Sequence, residues 1–291
     1  MFAYIYCGIK VESDVELPGL AFCDNEDAPG ICIRSDNNLS LWKKERKGNS
    51  IIEFKPSLLE ACLGDFISLR VSNGSEILYD MGSGSETAAR LIIVNTGLAA
   101  IMHQRRHPVI HGASSIVNGK TIIVSGNKGA GKSTFNVGVI NCGGEIISDD
   151  TTPVFTSPRP HVKTASRAVK LWSTSYDMLS KPDIFQSHDI IPEFDKTYID
   201  VSDGSTSTSE LSGIIILSPG DCRALERIDG KDAFVLVYSN LFMSIGMKRG
   251  GVEGDMFDEV KRVIEMCDIY VFRRPKEGNP EADVEWLVKR I

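Results

Sequence analysis

The sequence has no CxxC pair and no regular cysteine spacing. Its seven cysteines stand at positions 7, 23, 32, 62, 142, 222 and 267. An odd and scattered set excludes a disulfide framework and a zinc site built on paired thiolates, and fits reduced thiols. No apolar run approaches the roughly twenty residues that a membrane helix needs. The opening MFAYIYCGIKVESD has no basic start followed by a long apolar stretch, so no secretory signal is expected. Positive charge is scarce: 32 Lys plus Arg stand against 39 Asp plus Glu, a net charge of −7. The basic stretches Lys43-Lys44-Glu45-Arg46-Lys47 and Arg105-Arg106-His107 are too short for a nucleic-acid footprint and read as solvated loop charge. What remains is a globular composition, 42% hydrophobic and 24% charged over 291 residues, enough for one large domain or two modest ones. A soluble, cytoplasmic protein is expected, with no nucleic-acid partner and no membrane partner.

Residues 1–85 read as a β-rich region. Ala3–Tyr6, Ile31–Ile33, Ser50–Phe54, Phe66–Val71 and Glu76–Tyr79 carry strand patterns, and Asn73-Gly74 marks a hairpin turn. Glu86–Met102 reads as one buried helix that joins two halves and supplies core. His111–Val117 and Thr121–Ser125 flank Asn118-Gly119-Lys120, the pattern of a tight antiparallel hairpin. A helix is expected from Thr134 to Cys142, ended by Gly143-Gly144, then a buried strand Glu145–Ser148. Residues 151–200 read as loop-rich, punctuated by Pro153, Pro158, Pro160, Pro182 and Pro192, with Lys170-Leu171-Trp172 and an Asp177-Met178-Leu179 turn interrupting the loops. Gly204–Ser209 reads as a mobile polar loop. Strands at Ser212–Leu217 and Asp268–Phe272 and helices at Ala233–Phe242, Asp255–Cys267 and Asp283–Ile291 complete the chain. The expected units are residues 1–85 and residues 86–291.

The segment Gly126-Asn127-Lys128-Gly129-Ala130-Gly131-Lys132-Ser133-Thr134 matches the P-loop pattern in full. It follows a buried strand and opens a helix, as that pattern requires. Gly126, Gly129 and Gly131 let the backbone aim successive N–H groups inward. Those groups and the helix N-terminus can cradle phosphate oxygens, with Lys132 as a point charge for the β and γ phosphates. The Ser133 hydroxyl suits Mg²⁺, a hard ion that takes oxygen ligands. The cofactors expected are therefore ATP and Mg²⁺. A buried strand delivers Asp149-Asp150 seventeen and eighteen residues after Lys132. One acid can hold the metal while the other takes a proton from an incoming hydroxyl. An Asp pair is also common in an ordinary turn after a strand; the neighbouring loop favours the catalytic reading. His111 begins the hairpin that feeds the loop; it reads either as a core or edge His hydrogen-bonded to backbone or as a residue near the phosphates. Arg167, Lys170 and Lys196 are candidates for a further positive charge on the transferring group, with an ordinary surface charge the favoured reading of each.

The order His111, hairpin, Gly126–Ser133 loop, helix and Asp149-Asp150 resembles the catalytic domain of bacterial HPr kinase/phosphorylase. That family is related in fold to ATP-dependent phosphoenolpyruvate carboxykinase. The resemblance implies an α/β (α+β) fold, with a P-loop kinase core of this type and a β-rich N-terminal region. It places His111, Lys132 and Asp150 in the active site and makes Ser133 a magnesium ligand. It covers about residues 108 to 155. Further on, where the family has a Gly-rich segment with a magnesium-binding Glu, this chain has Lys163–Trp172 and no Glu. HPr itself and a reverse phosphorylase reaction are thus not carried over. Tyr6–Ser13, Leu17–Leu20 and Lys170–Trp172 are similar to a branch found beside lasso-peptide biosynthetic clusters, whose members phosphorylate a C-terminal Ser of a precursor peptide.

The expected function is transfer of the ATP γ-phosphoryl group to a serine hydroxyl of a peptide or protein. A small-molecule kinase, for example one acting on free serine, shares every residue above, and a non-catalytic nucleotide sensor stays open as well. A homo-oligomer is compatible with the sequence. The β-rich half is expected to dock the substrate or partner.

Overall fold

The computed structural model describes residues 1–24, 26–39, 50–63, 66–178, 187–191, 196–201, 206–244, 247–248, 253–275 and 278–291. The basic stretch Lys43–Lys47, Leu179, Pro182, Pro192 and Gly204-Ser205 lie outside the described residues. Alternating apolar positions build the first sheet from β1 (Phe2–Tyr6), β2 (Ile9–Ser13), β3 (Ala21–Phe22), β4 (Ile31–Ser35), β5 (Ser50–Lys55), β6 (Leu58–Leu63), β7 (Ile67–Ser72) and β8 (Glu76–Met81). Its order is β3-β1-β2-β4-β8-β7-β6-β5. The Asn73-Gly74 turn joins β7 to β8 with positive φ at both residues, 53° and 63°, as a tight hairpin needs. Strands β2, β3 and β6 were not expected from sequence; β3 has only two residues, and in β6 Ala61 and Cys62 are both buried, which breaks the alternation.

The buried helix over residues 86–104 is not uniform. It runs as α1 (Glu86–Ile92), a π-helical turn (Ile93–Gly97) and α2 (Leu98–Gln104). Ser85 caps its start by accepting from Ala88 N. Residues 93–103 are all buried, so this stretch is covered on every side, with Asn95, Thr96 and His103 as its polar members. Its side chains share one core with the first sheet (Tyr4, Ile33, Leu69) and with one face of the second (Ile123, Ile214, Ile216).

The second sheet has the order β12-β10-β11-β18-β20-β19, formed by β10 (Gly112–Val117), β11 (Lys120–Ser125), β12 (Glu145–Ser148), β18 (Thr208–Pro219), β19 (Ala224–Ile228) and β20 (Asp268–Arg274). Strands β11, β18 and β20 are parallel. Both faces are covered, which is why their sequences read as unbroken apolar runs. Ile122, Val124, Ile215, Leu217 and Phe272 face the second core, under α3 (Lys132–Asn141) and α7 (Pro280–Val288). Among the described residues there are also α4 (Ser173–Tyr176), α5 (Gly230–Ser239), a 3-10 turn (Glu253–Met256) and α6 (Phe257–Met266).

Residues 151–200 differ from the loop-rich expectation. Short strands β9 (Val109–Ile110) and β13 (Thr152–Pro153) pair with each other, and β14 (His161–Lys163) pairs with β18. Strands β15 (Ala168–Trp172), β16 (Ser187–Ile191) and β17 (Lys196–Asp200) form a three-stranded sheet in the order β15-β17-β16. Pro158 and Pro160 lie between β13 and β14, while Pro153 is part of β13. Pairing of β15 with β17, from Ala168↔Asp200 to Trp172↔Lys196, buries Val169, Leu171 and Ile199 in the second core. That long-range pairing has no local signature. The chain is a mixed α/β protein, and among its described residues no helix is long and apolar enough to cross a membrane.

Candidate active site

The strands set the site. In the second sheet β12 and β11 are both antiparallel to β10, so β11, β12, β18 and β20 all end at one edge. In open α/β sheets ligands bind outside such carboxyl ends. This edge carries the glycine-rich loop after β11, Asp149-Asp150 after β12, Pro219 on β18 and Arg274 on β20. The loop has glycine at the three positions where its backbone is left-handed. Gly126 has φ 144°, Gly129 φ 83° and Gly131 φ 91°. A Cβ at Gly126 would lie 2.8 Å from Leu217 O, and one at Gly131 would lie 1.9 Å from Arg274 Nη2. Gly131 also starts α3, with no side-chain cap, so the N–H groups of the first helical turn have no partner within the helix.

The loop residues Asn127, Lys128, Gly129, Ala130, Gly131, Lys132, Ser133 and Thr134 line a cavity of about 520 Å³ together with His111, Asp150, Trp172, Lys196, Pro219 and Arg274. An adjoining recess of about 30 Å³ is lined by Lys132, Ser133, Asp149, Asp150, Lys170 and Lys196. Lys132 Nζ lies back over the loop and donates to Gly126 O at 2.6 Å. Burial lowers its pKa, against the pull of Asp150 and Asp149.

The two aspartates have different surroundings. Asp149 is 8% exposed. Its Oδ1 accepts from Asn136 Nδ2 at 2.7 Å and its Oδ2 from the Lys170 backbone N–H at 3.1 Å. Burial, then the neighbouring Asp150 charge, push it up to about 6. Asp150 has φ 67°, a left-handed conformation that Asp tolerates. Burial would raise its pKa, but Lys170, His111 and Lys196 outweigh that and hold it well below the usual carboxylate range. The Lys170 ammonium donates directly to Asp150 Oδ2. A chain of hydroxyls anchors this turn: Ser148 Oγ lies 2.7 Å from both Ser114 Oγ and Thr152 Oγ1.

His111 N donates to Asn240 O at 2.8 Å, and its ring stacks on Phe242 at 5.8 Å between centroids. Burial lowers its pKa, opposed by Asp150. Lys196 Nζ lies 5.0 Å from the Trp172 ring centroid; burial, then Lys170, lower its pKa. Arg167 is not among the residues lining either cavity. Its side chain is 2% exposed and pairs with Glu145 at 2.7 Å, at the opposite end of β12 from Asp149. The remaining sequence-selected residues converge on one edge. Two residues were missed. Asn136, four positions after Lys132 and 1% exposed, is a polar residue within the buried apolar stretch Phe135–Ile140 of its helix, a signal that was there to find. Arg274 gave none, because only the parallel register of β18 and β20 sets it beside Gly131.

The fold and this edge define a mixed α/β protein whose parallel strands converge on a glycine-rich loop and an aspartate pair. No protein-family model matches the chain, and no curated protein matches it. Among solved structures the chain matches the HPr(Ser) kinase/phosphatase from Coxiella burnetii, with 13% identity and a TM-score of 0.34, over 62% of this chain and 93% of that one.

Proposed function

We propose that the protein is a kinase that transfers the γ-phosphoryl group of ATP to a hydroxyl. The observation that carries this reading is the glycine-rich loop with Lys132 and Ser133 sharing one cavity with Asp150, while Asp149 lines the adjoining recess. In a chain of net charge −7, Lys128, Lys132 and Lys196 face that cavity, which suits a polyanionic ligand. Loop amides, the start of α3 and Lys132 bind the triphosphate.

The residues present fit Mg²⁺. Ser133, Asp149 and Asp150 bring oxygen donors to one recess, and Mg²⁺ keeps several waters rather than needing a full protein cage. Among the described residues there is no His, Cys, Asp and Glu cluster of three or more that could hold a metal by itself. Ser133 would hold it with Asp149 nearby, and when bound it neutralises phosphate charge. Asp150, kept ionised by Lys170, orients the acceptor hydroxyl and accepts its proton. His111 and Lys196 flank the same carboxylate and supply charge near the transferring group.

The acceptor proposed is a serine hydroxyl of a peptide or protein, which the resemblance of the opening residues and of Lys170–Trp172 implies. Residues 1–85 are proposed to help dock it. In support, Cys7 N donates to Thr164 O at 2.9 Å, Arg167 N to Gly19 O at 2.9 Å and Ser166 Oγ to Pro18 O at 3.3 Å. These bonds tie the first sheet to the segment leading into Lys170. The test is intact-mass analysis of Ser-terminated peptides incubated with Mg-ATP. A mass gain of one phosphoryl group is expected with the wild type and not with Asp150→Asn, which still binds nucleotide. Normal transfer by that variant rejects the base assignment, and phosphate release without a phosphorylated product rejects the kinase reading.

A further inference from the structure

The loop strand β11 lies near the middle of the second sheet. Asp149-Asp150 end a strand two places to one side, and Arg274 ends a strand two places to the other. Four steps at ~4.8 Å make this edge roughly 19 Å long. A nucleotide whose reacting phosphate faces Asp150 therefore extends its nucleoside end toward β18 and β20. There the cavity wall is formed by Pro219, Pro275 and Arg274.

Arg274 is an unusual wall residue. Its side chain is 4% exposed, and its Nη1 donates to Asp283 Oδ2 at 2.6 Å. Asp283, 1% exposed, also accepts from Arg223 Nε at 2.7 Å. Two guanidinium groups thus share one carboxylate; Arg223 is 31% exposed, so its charge is met by water, and Arg274 is the buried member beside the cavity. A buried donor left without an acceptor is costly. The hydrogen bonding of Arg274 is incomplete. Nη2 reaches Gly131 O at only 3.3 Å, and Nε has no partner among the described residues. The fork of Arg suits a phosphate.

We propose that Arg274 contacts the α-phosphate of a bound nucleoside di- or triphosphate, held in position by Asp283 and Arg223. This rests on reading the loop as a triphosphate cradle, and it adds a residue that distinguishes a nucleotide from a bare phosphate chain. The main-chain amides and Lys132 are enough for pyrophosphate; the nucleoside-side phosphate needs Arg274.

The test is calorimetric titration of the full chain with Mg-ADP and with magnesium pyrophosphate, for the wild type and Arg274→Gln. Arg223 still neutralises Asp283 in that variant. Loss of a charged hydrogen bond predicts a fall in ADP affinity of about tenfold or more, with pyrophosphate affinity held within about twofold. Unchanged ADP affinity overturns the proposal. An equal fall for both ligands overturns it too, since Arg274 would then act only by shaping the loop. A wild type that binds neither ligand overturns the cradle reading itself. Should Arg274→Gln not fold, wild-type protein labelled with ¹⁵N-arginine answers the same question. The Arg274 Nε–H resonance is expected to move with Mg-ADP and to stay with pyrophosphate, and no movement at saturating ADP overturns the assignment.

Discussion

The two large sheets place their charges differently. In the first, Arg34 pairs with Glu12 at 32% exposure on each side, and Arg70 pairs with Glu60 at 38% and 13%. The interior there is Tyr4, Val11, Ile31, Ile33, Leu59 and Leu69. The second sheet has exposed pairs as well, Arg273 with Glu226 and Arg227 with Asp268, but at its carboxyl edge, with the elements packed there, charges are buried: Lys170 of β15 at 14%, Asp149 at 8%, Arg274 at 4% and Asp283 of α7 at 1%. Exposed pairs are compensated by water whether or not they meet, so they contribute little. Buried groups have only one another and whatever enters the cavity. Their mutual fields hold Asp150 down and, with burial, push Asp149 up. The charges of the first sheet are thus left largely to water, while those at the carboxyl edge of the second act on one another.

That contrast is open to attack from the largest expected effect downwards. Lys132→Met is expected to lower phosphoryl transfer about a thousandfold or more while urea denaturation is little changed. A large loss of stability with residual activity would make Lys132 a structural residue. Leu59→Ala, in the core of the first sheet, is expected to cost about 3 kcal/mol in urea denaturation. Its transfer rate per folded molecule should stay within about twofold of the wild type. A selective loss of kcat would show that the first sheet takes part in chemistry.

His103 sharpens the same line by pH. Burial lowers its pKa to about 4, and its Nε2–H donates to Phe242 O at 3.0 Å. The unfolded chain, with the ordinary His value of 6.5, binds the proton more readily. Stability is therefore full above about pH 6.5 and falls as the pH drops toward 4, by about 3 kcal/mol in all. His103→Leu should flatten that part of the stability profile, and an unchanged slope would reject the assignment. The smallest effect is expected at Arg70→Gln, a change of under about 1 kcal/mol that salt reduces further. A larger effect would show that the exposed pairs of the first sheet matter as much as the buried ones of the second.

Much of the site was legible because its residues are near in sequence and chemically marked. The loop follows β11 directly, and Asp149-Asp150 end the strand after α3. The Asn118-Gly119 hairpin takes φ of 49° and 74°, the conformation its residues favour. Lys170 and Lys196 were legible as cations but not as neighbours. Only the β15 to β17 pairing carries Lys196 to Trp172, and bonds from Lys170, its N–H to Asp149 and its ammonium to Asp150, seat β15 against the aspartate turn. Arg167 shows the reverse case. It lies three residues before Lys170, yet its side chain runs to Glu145. In the first sheet β6 was missed because its burial pattern, with Ala61 and Cys62 both buried, breaks the alternation.

The amino-acid order by itself determined the glycine-rich turn, the hairpin feeding it, the acids that follow and the apolar strands beneath them. These depend on backbone freedom and on side-chain periodicity over a few residues. Tertiary structure alone decided which cations reach that edge, how the two aspartates divide in proton affinity, and that Arg274 stands beside Gly131. Those outcomes depend on distance and desolvation between segments far apart in the chain, and no local pattern encodes either.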